Sequence, residues 1–165
     1  MRKATALLLL LAASGHAADP QPQKAVAGFR AMLIVTPDKD WQTKWNTTPE
    51  SIKFYHSGDT VHRGGEVYIV TMFSNPQLDA AGAARVSVDI DVKRPEGSSS
   101  SHAENAPCTK GALTAPANSF FICGQVVEFT GEPGDPLGTW SVDIVVKDEV
   151  RKVSLPLSMD FVLAE

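Results

Sequence analysis

An all-β fold, an antiparallel immunoglobulin-like β-sandwich of seven or eight strands, is what this sequence predicts. Three observations predict it. In residues 138–147, Trp140, Val142, Ile144 and Val146 fall on one side of an extended chain, and Thr139, Ser141, Asp143 and Lys147 on the other. That period of two marks a half-buried strand. Similar segments recur between Pro- and Gly-bearing turns. No segment sustains a helical period.

The chain begins with basic Met1-Arg2-Lys3, an apolar run with Leu7–Leu11, and Gly15-His16-Ala17. Basic, apolar and small residues in that order read as a signal peptide over residues 1–17. No later apolar run approaches the ~20 residues that cross a bilayer, so no membrane insertion is expected. The expected location is periplasmic or secreted. Residues 18–27 are rich in Ala, Pro, Gln and Lys and read as a disordered leader. Residues 28–165 read as a single β-sandwich domain. The net charge is −4 and the pI about 5.5. Lys and Arg form no cluster, which argues against nucleic acid as a partner.

The first strand spans residues 28–36. Phe29, Ala31, Leu33 and Val35 share one face, while Met32 and Ile34 make the other apolar too. The loop that follows holds Trp41 and Trp45, four residues apart, so one helical turn places both on one side. Two indoles can form an aromatic platform for a sugar or peptide, with Lys44 and Asn46 as polar contacts. They can equally pin the loop to the sandwich by burying large apolar area. Of the two, Trp41 is expected to be packed and Trp45 partly exposed, at an end of the sandwich where binding loops cluster.

His56, Asp59 and His62 offer imidazole and carboxylate groups that suit divalent ions. Their spacing matches no metal motif, and a small metal-binding protein using them is the alternative function. No other cofactor is implied. Residues 51–61 hold one or two weak strands, and residues 66–74 an internal one, apolar on both faces.

In residues 85–94, Val86, Val88, Ile90 and Val92 face inward, and Ser87, Asp89, Asp91 and Lys93 outward. Asp89 and Asp91 are neighbours on a solvated face. A catalytic carboxylate pair needs two different environments, which such a face does not supply. Residues 95–118 read as a long flexible loop with a tetraserine and Cys108. Cys108 and Cys123 are an even pair in an exported chain, so a disulfide is expected. A strand rich in Phe covers residues 119–130. The final strand, residues 153–163, carries Pro156, which favours an edge.

Two segments resemble a known group of folds. Residues 135–162 look like the final hairpin of bacterial immunoglobulin-like and macroglobulin-like modules. Gly58-Asp59 ahead of the strand at residues 67–73 is similar to their second strand. The resemblance implies a sandwich and names no activity. The expected function is therefore an exported, non-catalytic module that binds a protein, in the envelope or outside the cell, or a glycan.

Overall fold

The computed structural model describes residues 21–165. The expected signal peptide and the first residues of the expected leader lie outside that range. Nine strands form two sheets: β1 (Gln23–Val26), β2 (Phe29–Thr36), β3 (Asp59–His62), β4 (Glu66–Ser74), β5 (Ala84–Lys93), β6 (Ser99–Gly111), β7 (Phe120–Thr130), β8 (Gly138–Asp148) and β9 (Val153–Ala164). One sheet has the order β1-β2-β4-β7 and the other β3-β9-β8-β5-β6.

This order is immunoglobulin-like. Strands β2, β4 and β7 stand where A, B and E stand, and β9, β8 and β5 where G, F and C stand. The first strand is divided between the sheets: β2 belongs to one, and β3 joins the other. All pairings are antiparallel except β3 with β9, which is parallel. The count exceeds the expected seven or eight.

Two segments differ from the sequence reading. Part of the expected leader is β1, joined to β2 through Ala27 and Gly28, both with positive φ (51° and 88°). All four residues of β1 are exposed. It is held by the backbone ladder to β2 rather than by burial, so its polar composition carries no strand signal. Most of the expected loop at residues 95–118 is β6, paired along β5 with three register shifts. Its Ser, His, Glu and Asn side chains suit a solvated edge, where bulges and a proline, Pro107, blunt further pairing.

The core lies between the sheets. Its centre is Trp140, fully buried, with ring centroids 4.8 Å from Phe129 and 6.3 Å from Phe161. The indole N–H donates to the Pro136 carbonyl at 3.0 Å, so the Pro-rich corner also satisfies the one polar atom of this side chain. Pro156 is exposed, on a stretch of β9 that β3 does not reach, since β3 begins pairing at Phe161.

Cys108 and Cys123 are bonded, with Cα atoms 4.2 Å apart. The bridge joins β6, an edge of one sheet, to β7, an edge of the other. It closes one side of the sandwich rather than tying down a loop.

The two outer faces differ in chemistry. On the five-stranded sheet, Lys147 Nζ lies 2.6 Å from Asp89 Oδ2, and Lys93 Nζ lies 2.9 Å from Asp143 Oδ2 and 3.5 Å from Asp91 Oδ2. Asp89 and Asp91 are thus half-buried partners of lysines, each with its own counterion. On the four-stranded sheet the register aligns Met32 with Met72 and Ile122, and Ile34 with Val70 and Val126. An apolar outer face of this kind needs a cover.

Candidate functional site

The cover comes from the segment between β2 and β3. It forms a short helix, α1 (Trp41–Thr47), and a 3-10 turn at Pro49–Ser51. Trp41 and Trp45 share the inner side of α1 and pack on Ile34, Tyr68, Val70 and Met72. Both indoles are half-buried. Trp45 is thus partly exposed as expected, but Trp41 is no better packed than it, so the two do not differ. Nor does the segment crown an end of the sandwich: it lies across a sheet face. The reason is the second apolar side of β2 and β4, which gives both rings a surface to land on.

Hydrogen bonds close the base of this segment. Thr36 Oγ1 accepts from Asp38 N at 3.1 Å and donates to Lys53 O at 2.5 Å. Asp38 Oδ2 accepts from Lys53 N and from Lys44 Nζ, each at 2.9 Å. Lys44 also pairs with Asp40 Oδ1 at 3.0 Å. Lys44 is therefore committed to fixing α1, and its ammonium is not free to meet a partner. Asn46 is exposed, with its Nδ2 donating to Gln42 O at 2.9 Å.

Asp38 sets a pH dependence. Burial pushes its pKa up, but the hydrogen bonds from Lys44 and Lys53 and their positive charges outweigh that and hold it below the ordinary value. A carboxylate depressed on folding contributes stability that is present above its unfolded pKa and lost as pH falls through the folded value. The seat of α1 should thus loosen below about pH 4. Unfolding midpoints at neutral pH and at about pH 3, for wild type and Asp38→Asn, measure this. Wild type should lose more on acidification than the variant, and equal losses would remove Asp38 from the account.

Beside Trp45 the surface is concave. A cleft of about 360 Å³ is lined by Trp45, Asn46, Thr109, Thr114, Phe120 and Ile122, with the Cys108 side of the disulfide in its wall. Phe120 is 42% exposed, unusual for so large an apolar side chain. Trp45 and Asn46 of the sequence reading thus meet here, while Trp41 does not line the cleft. Phe120, Thr109 and Thr114 are additions that sequence reasoning missed. Phe120 opens a run of two phenylalanines, and alternation requires one of two such neighbours to face outward. That was the available signal.

His56, Asp59 and His62 are not brought together. Asp59 Oδ2 accepts from His56 N at 2.8 Å and lies 3.5 Å from His56 Nδ1. His62 Nδ1 is instead 2.6 Å from the Glu165 carbonyl oxygen. Among the described residues no three His, Cys, Asp or Glu side chains are placed to share a metal ion.

Fold and cleft together define a disulfide-closed, immunoglobulin-like β-sandwich with an aromatic-lined depression at the closed edge. No family model matches the chain, and no curated protein does. Among solved structures, it is similar to a family 123 glycoside hydrolase from Clostridium perfringens, at 11% identity and a TM-score of 0.46. That match covers 82% of this chain and 27% of the hydrolase. It is also similar to a Niemann-Pick type C2 protein from the Japanese carpenter ant, at 12% identity and a TM-score of 0.34, over 64% of this chain and 79% of that one.

Proposed function

We propose that this protein is an exported, non-catalytic binding module, related to bacterial immunoglobulin-like modules, that works in the periplasm or outside the cell. Its partner is a glycan or a protein segment received in the Trp45 cleft. The observation that carries this reading is the cleft itself: two partly exposed rings, Trp45 and Phe120, beside an amide and two hydroxyls, Asn46, Thr109 and Thr114. Rings that take an apolar face, next to groups that pair with hydroxyls, suit a sugar, which is the partner class favoured here. The basic-apolar-small start of the chain and the disulfide support export.

The test is binding to a panel of immobilised glycans, with wild type and Trp45→Ala compared. A retained glycan should lose affinity by about 2 kcal/mol or more in the variant. Near-UV circular dichroism checks that α1 still seats through Trp41. A glycan that binds both proteins equally, or a panel that retains neither, defeats the sugar reading of the cleft.

A further inference from the structure

The solvent side of the five-stranded sheet holds two adjoining depressions of about 400 and 300 Å³, the second of which reaches Thr109, a residue that also lines the Trp45 cleft. Ser87, Asn105 and Glu149 line both. Lys147 and Lys152 flank the first, and Arg85 and Lys110 the second. They open where β6 slips out of register with β5: Val86 faces Thr109, but Ser87 faces Pro107. The bulge turns the edge strand away and leaves room over Ser87.

Charge and hydrogen bonding in this trough are both incomplete. Lys147 is neutralised by Asp89, and Asp148 by Arg151. Arg85, Lys110 and Lys152 form no salt bridge among the described residues, and the one unpaired carboxylate lining the trough is Glu149. A chain of net charge −4 thus carries a concave patch with a cationic excess.

At its floor, Ser87 is 3% exposed and its hydroxyl has no hydrogen-bond partner. A buried hydroxyl without a partner carries a desolvation penalty, and native proteins seldom leave one so. Thr71 has an equally orphaned hydroxyl, but neither depression reaches it. Asn105 stands in the left-handed region at φ 50°. Its backbone N–H is held by Asp89 at 2.8 Å, and its Oδ1 accepts from Lys147 Nζ at 2.9 Å. That leaves the two Nδ2 hydrogens as further donors at the same wall.

We propose that this trough binds a tetrahedral oxyanion, a sulfate or phosphate group. Ser87 and Asn105 supply hydrogen bonds, and Arg85, Lys110 and Lys152 supply the charge. Cations that combine with fixed neutral donors are the chemistry that recognises such groups. The volume admits a carrier about as large as a sugar ring, so the group can arrive free or as an ester.

Amide chemical-shift titrations of the ¹⁵N-labelled protein test this, at constant ionic strength set with sodium chloride. The probes are inorganic sulfate, inorganic phosphate, glucose 6-phosphate and glucose. At least one anion should give saturating shifts at Ser87, Asn105 and Lys152, with half-saturation below about 1 mM. Tighter binding of glucose 6-phosphate than of phosphate assigns the ester as the ligand, and equal binding assigns the free ion. An Arg85→Gln/Lys152→Gln double variant should bind at least about tenfold more weakly. Ser87→Ala should bind several-fold more weakly while keeping or raising the unfolding midpoint, since no protein bond is lost. Shifts that stay linear to about 20 mM, that survive the double variant unchanged, or that glucose alone reproduces would overturn the proposal.

Discussion

Replacing Asp148 with alanine is expected to cost about 3–5 kcal/mol of unfolding free energy. The side chain is fully buried, and four donors point at it. Its Oδ1 accepts from the backbone N–H groups of Val150 (3.2 Å) and Arg151 (3.0 Å). Its Oδ2 accepts from Gln77 N at 2.8 Å and from Arg151 Nε at 3.2 Å. Arg151 in turn donates to the carbonyl oxygens of Ala27 and Asn75, so one carboxylate holds three turns at this end of the sandwich. Ala27, Asn75 and Lys152 all have positive φ without being glycine. Backbone held in that region persists only where its surroundings over-determine it. Alanine would leave a half-buried guanidinium without its counterion and three amides without acceptors. Asp148→Asn keeps one acceptor oxygen and should lose less. Urea unfolding with fitted midpoints and slopes measures both variants, and a loss under about 1 kcal/mol from alanine would show that the hub holds without its carboxylate.

Removing the disulfide, as Cys108→Ser/Cys123→Ser, should lower stability by about 3 kcal/mol, the value for a closed loop of this length. The bridge is more than a loop clip. Its residues belong to edge strands of different sheets, and Cys123 is wholly buried in the core. The double variant therefore also places a hydroxyl in an apolar site. Cys108→Ala/Cys123→Ala separates the two effects, because alanine brings no polar atom. Unfolding midpoints should fall in both variants and in reduced wild type, and furthest in the serine pair. An unchanged midpoint in the alanine pair would mean that core packing alone holds the two edges.

Much of this architecture was legible in the sequence, wherever one strand face is buried and the other wet. The alternation in β5, β8 and β9 places their residues correctly, and the doubly apolar β2 and β4 are central strands of their sheet. The exposed edges were not legible. β1 and β6 bury little, so their composition is that of loops. The site was half legible. Trp41 and Trp45 stood out as large apolar groups in a polar segment, and their spacing implied the helical turn that the structure contains. That α1 lies on a sheet face depended on tertiary context: only the paired register of β2 and β4 assembles the apolar patch beneath it. Lys44 looked available because Lys39 stands between Asp38 and Asp40 in the chain, so the sequence offered these carboxylates a nearer lysine. Asp148, by contrast, left a readable trace. Continuing the phase of Trp140, Val142, Ile144 and Val146 puts a carboxylate at the next inward position, and an inward charge implies a hydrogen-bonded role.

The parallel pairing of β3 with β9 has a mechanical meaning. Chain leaving β3 at Asp59 and chain leaving β9 at Ala164 depart in opposite directions, because the strands run the same way. A pull between those points slides one strand along the other. The rungs from Asp59–Phe161 to His62–Ala164 are then loaded side by side and must yield together. The β8–β9 hairpin is built the other way: Gly138 and Leu163 sit opposite each other, so a pull on that open end peels it rung by rung. Dividing the first strand between the sheets thus gives β9 a shear-loaded neighbour on one side and a zipper on the other.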